Sequence, residues 1–214
     1  VTKIPMAQLA TQLILGSTLA ELKSPTGLLP AGPLIHVKAP VFSFSKLTRV
    51  DSLLGPEMKS TGEVMGTDVT MQKALYKAFE ASGMHLPSHG NVLMTVTNQD
   101  KAQALALAKR FREVGYQILA TPGTAQEFKA AGIPVRSVSK INATAGELLD
   151  RIKAGQIQLV INTTGLNEAP QVAKDSIVIR QTAIEHGIPL LTSLDTTDAI
   201  LSVLESQSLM TQPL

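Results

Sequence analysis

Residues 91–206 predict an α/β fold: a five-stranded, mostly parallel, Rossmann-like sheet with helices on both faces. Three observations carry this. Strand-like runs alternate with helical stretches of roughly ten residues, the pattern of βαβ units. The predicted helices stop at Gly115, Gly132, Gly155 and Gly187, where glycine can take the left-handed conformation of a helix end. The run 157–162, Ile-Gln-Leu-Val-Ile-Asn, is mostly apolar, as a strand covered on both sides should be.

Taken in order, residues 91–97 (NVLMTVT) read as the first strand of this unit. Asp100 stands where a cap is expected, before a helix to Val114 with Leu105, Ala108 and Phe111 turned inward. Residues 116–120 form a second strand and 124–131 a helix. Residues 135–138 form a third strand and 145–153 a helix. Residues 157–162 form the fourth strand, followed by a helix through Ile184. Residues 190–193 form the fifth, and Asp195 is placed to cap a last helix to about Glu205. Crossovers between parallel strands are right-handed, and ligands sit beyond the carboxyl ends of such strands.

The first 66 residues differ. Met6, Leu9, Ala10, Leu13 and Ile14 fall at helical spacing, and Gly16 ends the run. Residues 17–33 contain Pro25, Gly27, Pro30, Gly32 and Pro33 and read as loop. Val41, Phe42 and Phe44 suggest a short strand that Pro40 confines to an edge or a strand start. Residues 47–66 show no regular period. With so few strands, residues 1–66 are expected to be the end of a larger domain, cut at an N-terminus that opens on Val1. Residues 67–83 predict one helix, capped by Thr67 or Asp68 and striped by Met71, Leu75, Ala78 and Phe79. Residues 85–90 are a linker.

Composition narrows the function. Of 214 residues, 44% are hydrophobic and 17% charged, and 19 basic residues against 17 acidic give a net charge of +2. That balance, with no Trp and 3% aromatic residues, points away from nucleic acid and from a membrane surface. No apolar run reaches ~18 residues, so no transmembrane helix is expected. The absence of cysteine excludes disulfides and thiolate metal sites and suits a cytoplasmic protein. His85 and His89 are separated by Pro87 and share no helix face, so no metal site is expected. Glu57, Glu63 and Asp68 read as solvent-exposed or interface charges. Asp150, Arg151 and Lys153 read as a solvated helix face.

The predicted strand ends share one chemistry. Thr95 and Thr97 end the first strand, and Lys101 starts the next helix. Thr121-Pro122-Gly123-Thr124 leads from the second strand into a helix. Ser139 and Lys140 follow the third strand, Asn162-Thr163-Thr164-Gly165 ends the fourth, and Thr192 and Ser193 end the fifth. Free N–H groups at a helix start, a glycine that admits backbone to a ligand, and two lysines make a phosphate-binding arrangement. The same Thr and Ser residues would also serve as plain N-caps, and the pattern leaves both readings open.

Residues 52–66 read SLLGPEMKSTGEVMG. This closely resembles a segment of the carbamoyl-phosphate synthetase large-chain family. Thr121-Pro122-Gly123-Thr124-Ala125, Lys140, Ile161-Asn162-Thr163-Thr164 and Val178-Ile179-Arg180 resemble that family's C-terminal allosteric domain, in the same order and spacing. The resemblance covers the whole chain. It implies that residues 1–66 are the end of the second ATP-grasp (carbamoyl phosphate synthetic) unit, an irregular α+β remnant. Residues 67–90 would be a helix and linker, and residues 91–214 an allosteric, methylglyoxal-synthase-like domain. The parent enzyme makes carbamoyl phosphate from bicarbonate, glutamine-derived ammonia and two ATP, for arginine or pyrimidine synthesis. A small glutaminase chain supplies the ammonia. ATP and its Mg or Mn belong to segments outside this one, so the resemblance implies no catalytic residue and no cofactor here. It implies nucleotide effectors such as UMP or IMP, with phosphate contacts at Lys101, Thr121, Thr124, Lys140, Asn162 and Thr164. Thr192 matches a contact of a second effector, ornithine. Partners would be the rest of the large chain, the glutaminase chain, the effector and further copies of itself.

Two departures bear on the effector. Some relatives carry basic residues just after the Asn-Thr-Thr motif, where this chain has Gly165-Leu166-Asn167-Glu168-Ala169-Pro170. Ornithine-activated relatives carry Glu where this chain has Ala39, so the amine of ornithine would lose its carboxylate partner. Two other functions compete. A lyase of the methylglyoxal synthase type needs a carboxylate base near the phosphate, and its Gly-Gly-Asp segment is replaced here by residues 166–169. The other is a structural or oligomerisation domain in which regulation is lost.

Overall fold

The structure, a computed structural model, describes residues 1–25, 27–42, 58, 60–139, 146–165 and 170–208. Two sheets organise it. The smaller pairs β1 (Ile35–Val41) with β2 (Gly62–Asp68), antiparallel, with Val37 opposite Gly66 and Pro40 opposite Glu63. The larger has five strands: β3 (Gly90–Thr95), β4 (Tyr116–Ala120), β5 (Val135–Ser137), β6 (Leu159–Asn162) and β7 (Leu190–Leu191). Their order is β5-β4-β3-β6-β7, and all four pairings are parallel. The chain winds outward from β3 to one edge, crosses back to β6, and winds to the other edge. The central β3–β6 pair is therefore the place where the direction reverses.

Alternation along the strands divides the core in two. Val92, Met94, Ile118, Leu159 and Ile161 face one side, where they meet Leu107 and Phe111 of α3 (Lys101–Glu113), Phe128 of α4 (Pro122–Ala130) and Leu201 and Leu204 of α7 (Leu194–Ser208). Leu93, Leu119 and Val160 face the other, against Leu148 and Ile152 of α5 (Glu147–Lys153) and Ile179 and Ala183 of α6 (Pro170–Glu185). Helices thus cover both faces, as the apolar run of β6 requires: all four of its residues are buried. Arg110 fastens α3 to α7. Its Nε and Nη2 donate to the two carboxylate oxygens of Glu205 at 2.7 and 2.8 Å, and Nη1 donates to Asp198. Hydrogen bonds to Glu205 and then Asp198 hold its guanidinium even more firmly protonated than usual.

The amino-terminal part departs from the sequence expectation in three places. α1 (Met6–Ile14) forms as its spacing requires, but none of its residues is fully buried. The strand expected around Val41 begins at Ile35 and holds Pro40 within it; the pair has only two strands, so each has a free edge that tolerates proline. Residues 62–68, expected to be irregular and then helical, are strand β2, so Thr67 and Asp68 cap nothing. The helix is α2 (Met71–Ala81), and Thr70 caps it by accepting from the Lys73 N–H at 3.4 Å. Pairing with β1 overrides the weak local preference of Gly-Glu-Val-Met-Gly-Thr-Asp. Gly66 permits the arrangement: a β-carbon there would lie 2.0 Å from the Ala74 carbonyl oxygen and 2.5 Å from the Ala78 nitrogen. Ala74 and Ala78 of α2 are fully buried. Phe79 of α2 packs partly against the core of the larger sheet.

Two acidic residues of this part make ion pairs. Glu63 pairs with Lys38 at 2.8 Å and Asp68 with Lys77 at 2.7 Å, and the hydrogen bond from Lys77 holds the Asp68 carboxyl below its ordinary range. Glu57 and Phe44 lie outside the described residues. Among the described residues, no helix is long and apolar enough to cross a membrane.

Candidate functional site

A parallel sheet sends all its strand ends to one edge, and the candidate residues follow. Thr121 directly succeeds β4, Asn162 ends β6, Thr163 and Thr164 continue it, and Thr192 succeeds β7. Lys101 is the first residue of α3. Lys140, after β5, lies outside the described residues, as do residues 166–169.

The β4–α4 junction is the most developed part. Thr121 is extended (φ −65°, ψ 155°) and stands at the cap position, yet its side chain makes no capping hydrogen bond. Pro122 fills the first helical position, where its missing N–H costs nothing. The Thr121 carbonyl accepts the first helical hydrogen bond, from Ala125 at 2.8 Å. The N–H groups of Gly123 and Thr124 precede that bond and have no carbonyl to reach within the helix. Thr121 is 8% exposed and Thr124 2%. Lys101 arrives at the same place from α3: a β-carbon built on Gly123 would be 3.9 Å from its Nζ. The lysine is also 3.7 Å from Glu127, one turn further along α4. A cation and the open amide end of a helix therefore converge on one point, the arrangement that favours a dianion.

The β6 side is a buried network. Asn162 is 0% exposed, its Oδ1 accepts from Arg180 Nη1 at 2.9 Å, and its Nδ2 donates to Ser176 Oγ at 3.5 Å. Arg180, on α6, is itself 2% exposed. An arginine only donates, so it settles which end of the Asn162 amide faces it. Thr163 N–H donates to the Thr95 carbonyl at 3.1 Å, and Thr163 Oγ1 to Asp100 Oδ2 at 2.5 Å. Thr164 and Thr192 are half-buried and follow the ends of β6 and β7.

Sequence reasoning misread Asp100 and missed Arg180 as part of a site. Asp100 makes no capping hydrogen bond; its carboxylate instead takes the hydroxyls of Thr97 and Thr163. Asp195 lies inside α7, and Ser193 Oγ accepts its N–H at 3.2 Å. An acid before a helix signals a cap in sequence, and the donor 63 residues away that claims the Asp100 carboxylate, Thr163, leaves no local pattern. Arg151, expected on a solvated helix face, has a side chain only 18% exposed. His85 bonds Glu80 at 2.9 Å, and Arg151 pairs with Glu147 across one helical turn at 3.0 Å. Among the described residues, no group of three or more His, Cys, Asp or Glu could hold a metal ion.

The five parallel strands with helices on both sides make an α/β domain. Residues 103–192, from α3 to just beyond β7, match the family model of the MGS-like domain. Such a domain fits the allosteric domain of carbamoyl-phosphate synthetase and is compatible with a regulatory role. The solved structure of ForH is similar at 22% identity, over 57% of this chain and 82% of its own, with a TM-score of 0.38.

Proposed function

We propose that this chain is the regulatory, carboxyl-terminal part of a carbamoyl-phosphate synthetase large chain and binds a nucleotide effector such as UMP or IMP by its phosphate. The observation that carries the reading is the convergence of Lys101 on the open amino end of α4, beside a Thr121 that does not cap it. The MGS-like match over residues 103–192 and the family-like segment at residues 52–66 support it. Thr121, Thr124 and Thr164 would complete the phosphate shell, with Lys140 adding charge from the end of β5. Asn162, held by Arg180, would act from beneath rather than as an exposed contact. Thr192 would belong to a second effector.

Residues 1–66 would be the end of an ATP-grasp unit, and residues 91–214 the effector domain. The parent ligase would work in the cytoplasm with its glutaminase chain, using ATP and Mg or Mn held by other segments. This part alone would catalyse nothing. Ile14, Leu15 and Leu28, widely exposed, would pack on the rest of the large chain or on a second copy.

Calorimetric titration with UMP, IMP, uridine and inosine tests the reading. The nucleotides are expected to bind and the nucleosides to bind at least ten-fold more weakly. If no phosphate-bearing ligand binds at millimolar concentration, the structural-domain alternative replaces it. Production of methylglyoxal from a triose phosphate would instead favour a lyase.

A further inference from the structure

We infer that Asp100 is a positioning residue of the phosphate site, a carboxylate that sets the site although it carries the same sign of charge as the ligand. The inference rests on the phosphate-binding reading above. Asp100 is half-buried at the carboxyl end of the central strand pair. One oxygen, Oδ2, accepts two hydroxyls: Thr97 Oγ1 at 2.8 Å and Thr163 Oγ1 at 2.5 Å. Thr163 Oγ1 in turn accepts the Thr97 N–H at 3.0 Å, and Thr163 N–H donates to the Thr95 carbonyl at 3.1 Å. Thr97 and Thr163 are buried, so these bonds are shielded from exchange with water.

Two consequences follow for the site. Asp100 immediately precedes Lys101, and Thr163 immediately precedes Thr164. One oxygen thus ties together the two backbone segments that deliver a predicted phosphate contact from either side of the switch point, β3 and β6. The clamp also uses both hydroxyl hydrogens, because each points at the carboxylate. Thr97 and Thr163 then cannot donate them to a ligand, which leaves the phosphate to the contacts proposed above, with Lys101 and Thr164 directly beside the clamp. A hydroxyl pair can be gathered only by a strong acceptor, and a carboxylate oxygen with two lone pairs is one.

The sign of the effect separates this role from simple electrostatics. Removing a negative charge next to an anion site should tighten anion binding if the carboxylate were a bystander. A positioning role predicts the reverse. The readout is the ratio of uridine to UMP dissociation constants, which isolates the phosphate, measured on the 214-residue chain by calorimetry. Asp100→Ala is expected to lower that ratio by about ten-fold, roughly the weight of one charge-assisted hydrogen bond. Asp100→Asn should keep it within about three-fold of wild type, because its amide oxygen can still accept both hydroxyls. Thr163→Val, which keeps the shape and loses the hydroxyl, should behave like Asp100→Ala, and Thr163→Ser like wild type. The Thr163 pair decides the matter if Asp100→Ala does not fold. A wild-type ratio near one overturns the phosphate reading and this assignment with it. A high wild-type ratio that Asp100→Ala or Thr163→Val preserves or raises overturns this assignment alone.

Discussion

Lys101→Met tests the electrostatic half of the site. Lys101 Nζ lies beside Gly123 at the start of α4, with its side chain one-fifth exposed. A charge-assisted hydrogen bond to a phosphate oxygen is worth about 1.5–3 kcal/mol. The lysine pairs with Glu127 at 3.7 Å, and the glutamate side chain is 55% exposed. An exposed pair of this kind contributes about 0–1 kcal/mol, which the ligand must displace. The net loss on substitution is therefore about 1–2 kcal/mol, or roughly five- to thirty-fold in the UMP dissociation constant. Methionine keeps the apolar stem, so the urea midpoint should hardly move. The assay is calorimetry with UMP and uridine at two ionic strengths. Uridine affinity should be unchanged, and the salt dependence of UMP binding should be smaller than in wild type. If Lys101→Met binds UMP as tightly as a wild type that prefers UMP over uridine, the anion does not sit at the α4 start and the reasoning fails.

Three other outcomes test the fold beneath the site. Phe111→Ala removes a fully buried ring packed edge-on against Tyr116, with centroids 5.4 Å apart, and should cost about 3–5 kcal/mol in urea unfolding; a cost under ~1 kcal/mol would mean this core is mispacked. Burial pushes the Tyr116 hydroxyl from 10.0 up to about 12. A folded pKa above the unfolded one gives stability that is complete below pH ~10 and is lost as pH rises toward ~12, by roughly 2–3 kcal/mol; Tyr116→Phe should flatten that slope, and an unchanged slope would count against the buried hydroxyl. Gly66→Ala would press a methyl group into the α2 backbone and should cost about 1–3 kcal/mol, read as lost hydrogen-exchange protection in α2; full protection would contradict the close contact of β2 and α2.

The parts of this fold legible in sequence are those that local patterns encode. Leu159, Val160 and Ile161 of β6 are apolar because both sheet faces are covered, and the glycines at Gly115, Gly132 and Gly187 mark helix ends, each with positive φ. The strand β2 was illegible because its residues alternate nothing; it exists through pairing with β1 and the space Gly66 leaves for α2. Within the site, the meeting of strand ends followed from parallel topology alone. What did not follow was which polar groups are spent on one another. Asn162 and Arg180 bond each other in the interior, and Asp100 gathers the hydroxyls of Thr97 and Thr163, which follow β3 and β6. Arg180 is 18 residues from Asn162 and Thr163 is 63 from Asp100, far beyond the reach of any helix or strand period.

A crystal structure of the chain with UMP tests the central claim most directly. The account predicts the phosphate at the amino end of α4, within hydrogen-bond reach of the Gly123 and Thr124 N–H groups and of Lys101 Nζ, with Lys101 drawn off Glu127. UMP bound with its phosphate at another strand end or away from the sheet edge, while Lys101 still pairs with Glu127, would contradict it.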